Sequence, residues 1–432
     1  MKQRGLTILS PINEAQLEHL DCLLRTIGDD VAKQTQIPFG KLTQLHFASW
    51  VIFADGAPGP QLIFESNFDG TAVDFLRQLV GPAQSGLDQI YRHCTDYPAG
   101  GASNAILEYL QAHIVNTDTF YASCGGVTRE QILQENQLHD KIEGFLGQLP
   151  AGKDAAAVRR NIQEFVTQDP ALAWARKPAE PYTFLEQARV RDVVIIVCLL
   201  VGLFGPRLLG WKAWLIWFGI LVIVFLILYR ILRRKEATDP SISDKPVEDA
   251  QPDPVKTEQL VSRENRRPQN HLFSITTVKP GVFRFALLKV VLALIEFLGR
   301  VKFYKGSLSG IPSIHFARWA MINDGKYLLF LSNFDGSWEH YLGEFIDQAA
   351  HGLTAVWSNA VNFPRTWNLI EGGAADEERF KSYARGMQLY TQLWYSAYPF
   401  LSVVNVENNV AIRAGLWGTL DADALDAWLR RF

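Results

Sequence analysis

The sequence predicts an α+β fold made of two related domains, and three observations support that prediction. A motif of strands and turns occurs twice, each copy shows the predicted element order β-α-β-β-α-β, and a long apolar stretch separates the copies. That element order is the split β-α-β arrangement of ferredoxin-like domains. The chain has 432 residues, and single cores rarely grow past about 250–300 residues, so two domains are expected.

The repeated motif combines a strand, a turn, a second strand and the start of a helix. Aspartate-glycine pairs lie between the two strands of each copy and predict a hairpin turn. The copies read HFASW at 46–50 with LIFESNFDG at 62–70, and HFARW at 315–319 with LLFLSNFDG at 328–336. Further matches extend the duplication to whole domains, at about 5–165 and 271–432.

The first domain, assigned to residues 1–185, is predicted from alternation of apolar residues in strands and from helical periodicity. An aspartate or threonine after the second hairpin strand is suited to cap the following helix. A segment resembling an insertion, at about 86–116, precedes the last strand. The predicted elements are a strand at 6–9, a helix at 13–27, strands at 45–53 and 61–66, a helix at 71–79 and a strand at 119–124.

Two apolar runs in the middle of the chain predict a transmembrane helical hairpin at 193–232. The run at 213–232 has the roughly 20 residues needed to cross a hydrocarbon core, and the run at 193–209 is just long enough. Basic residues at 189, 191, 230 and 233–235 flank the hairpin and outnumber those of its loop, which places both termini in the cytoplasm. The expected location is the bacterial inner membrane. The alternatives are a buried core hairpin, and one run lying flat in the membrane interface.

A linker at 236–270 separates the hairpin from the second domain. It contains five prolines and many carboxylates but no aromatic residue, so it is predicted to be disordered.

The second domain, 271–432, repeats the first but has a much more apolar first helix at 282–300. This helix is expected to pack between its sheet and a second apolar surface, either the first domain or the bilayer. A third transmembrane span would interrupt the repeated unit. The other predicted elements are strands at 271–278, 314–322 and 326–332 and a helix at 338–350.

The repeated motif also supplies the candidate ligand-binding residues. Alternation along the first hairpin strand places His46, Ala48, Trp50 and Ile52 on one face, and Arg318 lies on the opposite face in the second copy. A histidine paired with an aspartate suits acid–base chemistry. The candidates are His46, Trp50, Asn67, Asp69, His315, Arg318, Trp319, Asn333 and Asp335.

A structural explanation of the same residues stays open. A strand that turns sharply into a helix favours asparagine, aspartate and glycine for local hydrogen bonds and unusual backbone angles. On that view each histidine is a core residue bonded to Asn67, Asn333 or a backbone carbonyl.

The HFARW and SNFDG motifs and the element order resemble the dimeric α+β-barrel superfamily, including a group of bacterial proteins that carry both motifs. The resemblance implies ferredoxin-like units paired sheet to sheet, here within one chain. The superfamily includes haem peroxidases, which implies haem as a candidate cofactor with His139 as ligand beside Asp69 or Asp335. Those relatives take the axial histidine from a helix and carry a G-x-x-D-G motif where this chain has SNFDG.

Charge and cysteine content narrow the function classes. The net charge of −3 argues against a nucleic-acid partner, and the four cysteines form no C-x-x-C pair of a zinc site. The leading expectation is a membrane-anchored cytoplasmic binding or scaffold protein for an apolar small molecule or lipid, with the bilayer bound through 193–232. The alternative is a haem-dependent, peroxidase-like oxidoreductase.

Overall fold

The fold is mixed α/β, with antiparallel sheets and many helices. It is seen in a computed structural model that describes residues 3–29, 31, 36–149, 154–178, 200–246, 249, 251–301 and 310–432. The elements of the first half are β1 Gln3–Pro11, α1 Leu17–Asp29, β2 Leu45–Phe53, β3 Gln61–Asp69, α2 Ala72–Tyr91, α3 Ser103–Ala112, β4 Ile114–Val115, β5 Thr119–Ala122, α4 Arg129–Leu146 and α5 Ala155–Gln168.

The predicted hairpin of the first half is confirmed, and the segment predicted as an insertion is corrected. The second hairpin strand runs on through Asp69, and the helix after it continues to Tyr91, so its last turns and α3 fill most of 86–116. Thr71 caps that helix, because its side chain accepts a hydrogen bond from the backbone N–H of Asp74. The apolar side chains of α2 continue past residue 86 and keep the helix on the sheet.

Among the described residues, one helix is long and apolar enough to cross a membrane: α6, Trp211–Thr238. The first predicted span lies outside the described residues at 193–199; residues 200–204 are helical and lead into a 3-10 turn, Gly205–Leu209. Indole N–H groups of α6 donate back to this segment, from Trp214 to the carbonyl of Leu203 and from Trp217 to that of Gly202.

The prediction of a wholly disordered linker at 236–270 is wrong for the part that the structure describes. This segment contains a 3-10 turn, Ile242–Asp244, and a helix, α7 Pro254–Val261. Asp253 caps α7 and Pro254 occupies its first turn, where the missing proline N–H costs nothing. Leu260 is buried, so local capping and one apolar anchor order a segment of otherwise polar composition.

The second half also contains long antiparallel strands and covering helices, together with additional short elements. The apolar helix predicted at 282–300 is α8, and the helix predicted at 338–350 extends to Trp357. The elements are β6 Gln269–Thr277, α8 Val282–Val301, β7 Ile314–Ile322, β8 Tyr327–Asp335, α9 Trp338–Trp357, β9 Thr366–Trp367, β10 Glu371–Gly372, α10 Glu377–Met387, β11 Thr391–Ser396, α11 Val403–Gly415 and α12 Ala422–Leu429.

The last long strand of each half pairs with the sheet of the other half. The first sheet has the order β11-β2-β3-β1-β4, and the second has the order β5-β7-β8-β6. Tyr395 of β11 is opposite Ala48 of β2, and Tyr121 of β5 is opposite Ala317 of β7. The strand predicted at 119–124 therefore exists but lies in the second sheet, and the two halves are interleaved through both exchanged strands.

A β-bulge corrects the predicted alternation in the first hairpin strand of each half. The register shifts between Leu45 and Phe47, and again between Ile314 and Phe316. The extra residue, a histidine in both copies, turns away from the alternation that the rest of the strand follows. Ala48, Trp50 and Ile52 lie in the helix-covered core, whereas His46 contacts Phe316 of the second sheet.

The core is layered, with helices outside and the two sheets facing each other inside. Helices α1, α2 and α3 cover the outer face of the first sheet, and α8 and α9 cover that of the second. Side chains of both sheets meet between them in two clusters, one around Ile63, Phe273 and Leu329 and one around Phe47 and Phe316. The space between the sheets is therefore filled by side chains, and it contains most of the candidate site residues.

Candidate functional site

Each half contributes a buried histidine that faces a carboxylate in the space between the sheets. His46 Nε2 lies 3.1 Å from Asp69 Oδ1, at ion-pair distance but outside hydrogen-bond angles. His315 Nε2 lies 2.8 Å from Asp335 Oδ1. The histidine and aspartate of each repeated motif, which strand alternation alone could not bring together, meet because the bulge turns the histidine inward.

The second carboxylate oxygen of each aspartate caps a helix. Asp69 Oδ2 accepts a hydrogen bond of 2.8 Å from the backbone N–H of Arg129 at the start of α4, and Asp335 Oδ2 accepts one of 2.6 Å from Val403 at the start of α11. A carboxylate is favoured at a helix N-terminus by the unpaired N–H groups and the helix dipole. Because α4 follows a strand of the second sheet and α11 one of the first, these contacts also hold the exchanged strands in place.

The asparagines of the SNFDG motifs do not bind the histidines, so the partner expected on the structural explanation is wrong. Asn67 Nδ2 donates to Glu65 Oε1 at 2.6 Å, and Asn333 Oδ1 accepts from Trp394 Nε1 at 2.8 Å. Both amides face the space between the sheets and anchor neighbouring side chains.

A buried ion pair crosses between the sheets beside these residues. Arg318 on β7 places its guanidinium 2.9 Å from Glu65 Oε1 on β3, and both side chains are almost fully buried. Ser49 donates to the other carboxylate oxygen at 3.1 Å, and His271 Nε2 lies 3.7 Å from it. A Cβ added at Gly5 would overlap the Arg318 guanidinium, so glycine leaves the room that this side chain occupies.

The members of this polar cluster differ between the copies in a complementary way. Strand register aligns Gly5, Ser49 and Glu65 of the first sheet with His271, Arg318 and Leu331 of the second. The first half therefore contributes an acidic residue, Glu65, and two small residues at the aligned positions. The second half contributes two basic residues, His271 and Arg318, and one apolar residue. Replacing either half by a copy of the other would remove the pair.

Burial and the neighbouring charges shift the pKa values of Glu65 and Arg318 in opposite directions. Burial alone raises the pKa of Glu65, but the Arg318 guanidinium, His271 and Asn67 outweigh it and hold the pKa below its ordinary value. Burial lowers the pKa of Arg318, and the Glu65 carboxylate opposes that change. An arginine stays protonated in proteins, so the pair is ionised near neutral pH.

The structure separates the two candidate tryptophans from the other site residues. Trp50 packs at a tilt against Phe64 with ring centroids 4.3 Å apart, and the Trp319 ring centroid lies 4.7 Å from that of Phe330. Both are buried in the outer cores beneath the helices, away from the space between the sheets. They are packing residues there.

Sequence reasoning missed Tyr398, which joins the two histidine pairs. Its hydroxyl lies 2.8 Å from His46 Nδ1, and its ring centroid lies 5.9 Å from that of His315. Burial raises the pKa of Tyr398 well above its ordinary value, with the Asp69 and Asp335 carboxylates adding to the effect, so the phenol stays protonated. Nothing in the sequence indicates this role, because the contact depends on the exchanged strand that precedes Tyr398.

A cleft of about 150 Å³ opens at the seam between β6 of the second sheet and β11 of the first. Its rim carries Arg263, Arg266 and Arg267, and its wall includes His271 and Trp394. This arginine segment lies near the end of the predicted linker, outside both copies of the repeat. A run of three arginines within five residues was the available signal.

His271 connects the cleft to the buried ion pair. Its Nδ1 lies 3.0 Å from the Thr391 hydroxyl, which also lines the cleft, and its Nε2 faces Glu65. Arg263 is held by Asp29 at 2.6 Å and lies over the Tyr390 ring. Arg266 and Arg267 are exposed and have no ion pair with any described residue. Their charges are therefore available at the rim.

The described apolar cavity is much smaller. It measures about 30 Å³ and lies among Phe330, Tyr341, Trp357 and Tyr383 in the outer core of the second half. That volume is close to what a single water molecule occupies.

The haem candidate His139 is half-buried on α4, with its ring centroid 5.8 Å from that of Phe432. It lines neither of the two cavities above. Within the described ranges, no group of three or more histidine, cysteine or acidic side chains is arranged to hold a metal ion.

The chain matches no family model, and no curated protein or solved structure is significantly similar to it.

Proposed function

We propose that the chain is a membrane-anchored cytoplasmic binding protein that takes a small anionic ligand in the cleft at the seam of its two sheets. The observation that carries the proposal is that two rim arginines, neither of which has an ion pair with a described residue, lie in the same cleft as a wall histidine. Guanidinium groups suit phosphate and carboxylate oxygens because their N–H groups are arranged in a planar fork.

The architecture assigned here is a tandem ferredoxin-like duplication whose two sheets pair as in dimeric α+β barrels. Shared register, the shared bulge and the repeated histidine–aspartate pairs support it. Exchange of the fourth strands departs from a self-contained ferredoxin-like unit, which would place that strand beside its own first strand. The duplication gives one chain the paired arrangement that relatives reach by dimerisation.

The anchor is a transmembrane hairpin made by 193–209 and α6, with both termini in the cytoplasm. The contacts of Trp214 and Trp217 with residues 202–203 support an antiparallel hairpin, because they fold the preceding segment back along α6. The basic flanks on the domain side support the orientation.

The ligand class follows from the size and polarity of the two cavities. The apolar cavity among the described residues measures about 30 Å³, which is too small for an apolar ligand or a lipid chain. The seam cleft, at about 150 Å³, has the volume of an engineered cavity that holds benzene. A compact phosphate or carboxylate compound therefore fits the seam cleft better than an extended apolar molecule fits the interior.

Calorimetric titration of the whole chain in detergent with inorganic phosphate tests this proposal. Replacing Arg266 and Arg267 together by glutamine should weaken binding by roughly 10- to 100-fold, since a hydrogen bond to a charged group contributes about 1.5–3 kcal/mol. Arg77→Gln, an exposed arginine on α2, is the matched control and should bind normally. Equal phosphate affinity in the double variant and the control, or no phosphate binding at all, contradicts the proposal.

A further inference from the structure

The membrane helix first meets the rest of the protein at one defined level. Side chains of α6 from Trp211 to Tyr229 are mostly exposed, whereas Leu232 and Glu236 are buried against the second half. The first polar contact is made by the Tyr229 hydroxyl, which donates to Asn368 Oδ1 at 2.8 Å. The apolar exposed run therefore ends where a loop of the second half begins to cover the helix.

That loop is the tip of the short hairpin formed by β9 and β10, and α6 holds it firmly. Glu236 Oε1 accepts a hydrogen bond of 2.8 Å from the backbone N–H of Leu369, and Oε2 accepts one of 3.2 Å from that of Asn368. The Thr366 hydroxyl donates to the same carboxylate at 3.2 Å. A single buried carboxylate of α6 thus fixes the height of the hairpin tip along the helix.

The tip presents apolar side chains outward although its backbone is strained. Asn368 and Leu369 have φ angles of 54° and 73°, in the left-handed region that a leucine rarely adopts. Trp367 and Ile370, which flank these two residues, are 48% and 43% exposed. A loop that exposes a tryptophan and an isoleucine beside the end of an apolar helix is suited to an apolar environment.

We propose that the tip formed by Trp367 and Ile370 inserts into the cytoplasmic interface of the bilayer. The inference rests on the proposed membrane anchoring by α6, and it adds a second, peripheral contact that fixes the orientation of the second half. Tyr229 sits at the end of the lipid-facing run, where interfacial aromatic residues belong. Its hydrogen bond with Asn368 brings the tip to that depth.

The start of α8 is held at the same end of α6. Asp239, one residue beyond α6, pairs with Arg284 at 2.6 Å. Four apolar residues along α8 are exposed: Val282, Phe285, Val290 and Leu294. Because the contact of Arg284 with Asp239 ties the start of α8 to the end of α6, the bilayer surface is the apolar partner that we assign to these residues as well.

Nitroxide spin labels measure this contact in the full chain reconstituted into lipid nanodiscs. Single cysteines at Ile370 and Val290 are labelled after replacement of the four native cysteines by alanine. A label in the bilayer collides more often with oxygen, which partitions into lipid, than with a water-soluble nickel chelate. At position 370 the oxygen collision rate should exceed the nickel collision rate. At position 290 the nickel collision rate should be lower than at the exposed control position 73.

Val73 is the matched control, because it is exposed on α2, on the opposite outer layer of the molecule. Its label should show the reverse ratio, with nickel favoured. A nickel-favoured ratio at position 370 overturns the inference, as does protection there that depends on protein concentration, which would indicate a second copy. Retention of the chain in membranes after carbonate extraction is measured in parallel, since its loss would instead overturn the membrane anchoring.

A photo-crosslinking amino acid at position 370, in the chain with its native cysteines, avoids dependence on the cysteine-free background. Illumination should add the mass of a lipid to the peptide that contains position 370 and not to a peptide labelled at position 73. Equal lipid addition at both positions would overturn the inference.

Discussion

The buried pair of Glu65 and Arg318 gives the sharpest prediction, because it is the place where the two halves differ in complementary ways. Glu65→Leu introduces the residue that the second half has at the aligned position, Leu331, and leaves Arg318 buried without its partner. Removing one partner of a buried ion pair costs about 3–5 kcal/mol of unfolding free energy. Arg318→Leu should cost a similar amount, since it removes the guanidinium from a buried carboxylate that keeps only the neighbouring Ser49, Asn67 and His271.

The double variant should recover most of that loss. Replacing both partners of a buried pair by apolar residues of similar size is often neutral or stabilising by about 1–4 kcal/mol. We therefore expect the double variant to be at least about 3 kcal/mol more stable than either single variant. Glu18→Leu, on the exposed face of α1, is the matched control and should stay within about 0.5 kcal/mol of the parent.

Guanidinium unfolding of the whole chain in detergent, followed by tryptophan fluorescence, measures all four variants. Strictly additive changes, with the double variant less stable than both singles, would refute the cross-sheet pair. A Glu65→Leu loss as small as that of Glu18→Leu would refute it as well.

Two further predictions concern titratable groups. Because the pKa of Glu65 is lowered from 4.5 in the folded chain, its contribution to stability is complete above about pH 4.5 and is lost as the pH falls through the lower folded value. Acid unfolding curves should show this loss in the parent and not in the Glu65→Leu, Arg318→Leu double variant; superimposable slopes would count against it. Burial raises the pKa of Cys94 and Cys124 to about 12, whereas Cys22 is exposed, so maleimide at pH 7.5 should label Cys22 alone among these three in the folded chain. Labelling of Cys124 as fast as Cys22 before denaturation would contradict the raised pKa of the Cys124 thiol.

The sequence predicted local elements well because their signals are local. Alternating apolar residues and the aspartate-glycine turns located both hairpins, and the SNFDG motif marked where each strand leads into a helix. Pro254 after Asp253 was a helix start signal within the linker, but composition outweighed it there. Local capping is a stronger guide than average composition over 35 residues.

The arrangement of the site could not be predicted because it depends on pairing between distant strands. A two-residue period fixes which face a side chain takes but not where a bulge interrupts it, so His46 was placed with Trp50. Nor does it indicate which sheet edge a strand joins, which is why Tyr398 was missed. The difference between Glu65 and Leu331 in otherwise matching motifs was visible, and it marks the ion pair.

Cross-linking of the exchanged strand tests the interleaved fold most directly. Ala48 and Tyr395 are opposite each other on adjacent strands, where paired Cα atoms lie about 4.5–5.5 Å apart, within the range that a disulfide bridges. Cysteines at these two positions should form an intramolecular disulfide under mild oxidation, seen by mass spectrometry of the monomer. Cysteines at Ala48 and Tyr121, the pairing that would result if β5 took the place of β11 beside β2 of its own half, should not. A disulfide in the second pair and none in the first would contradict the exchange of strands between the two halves.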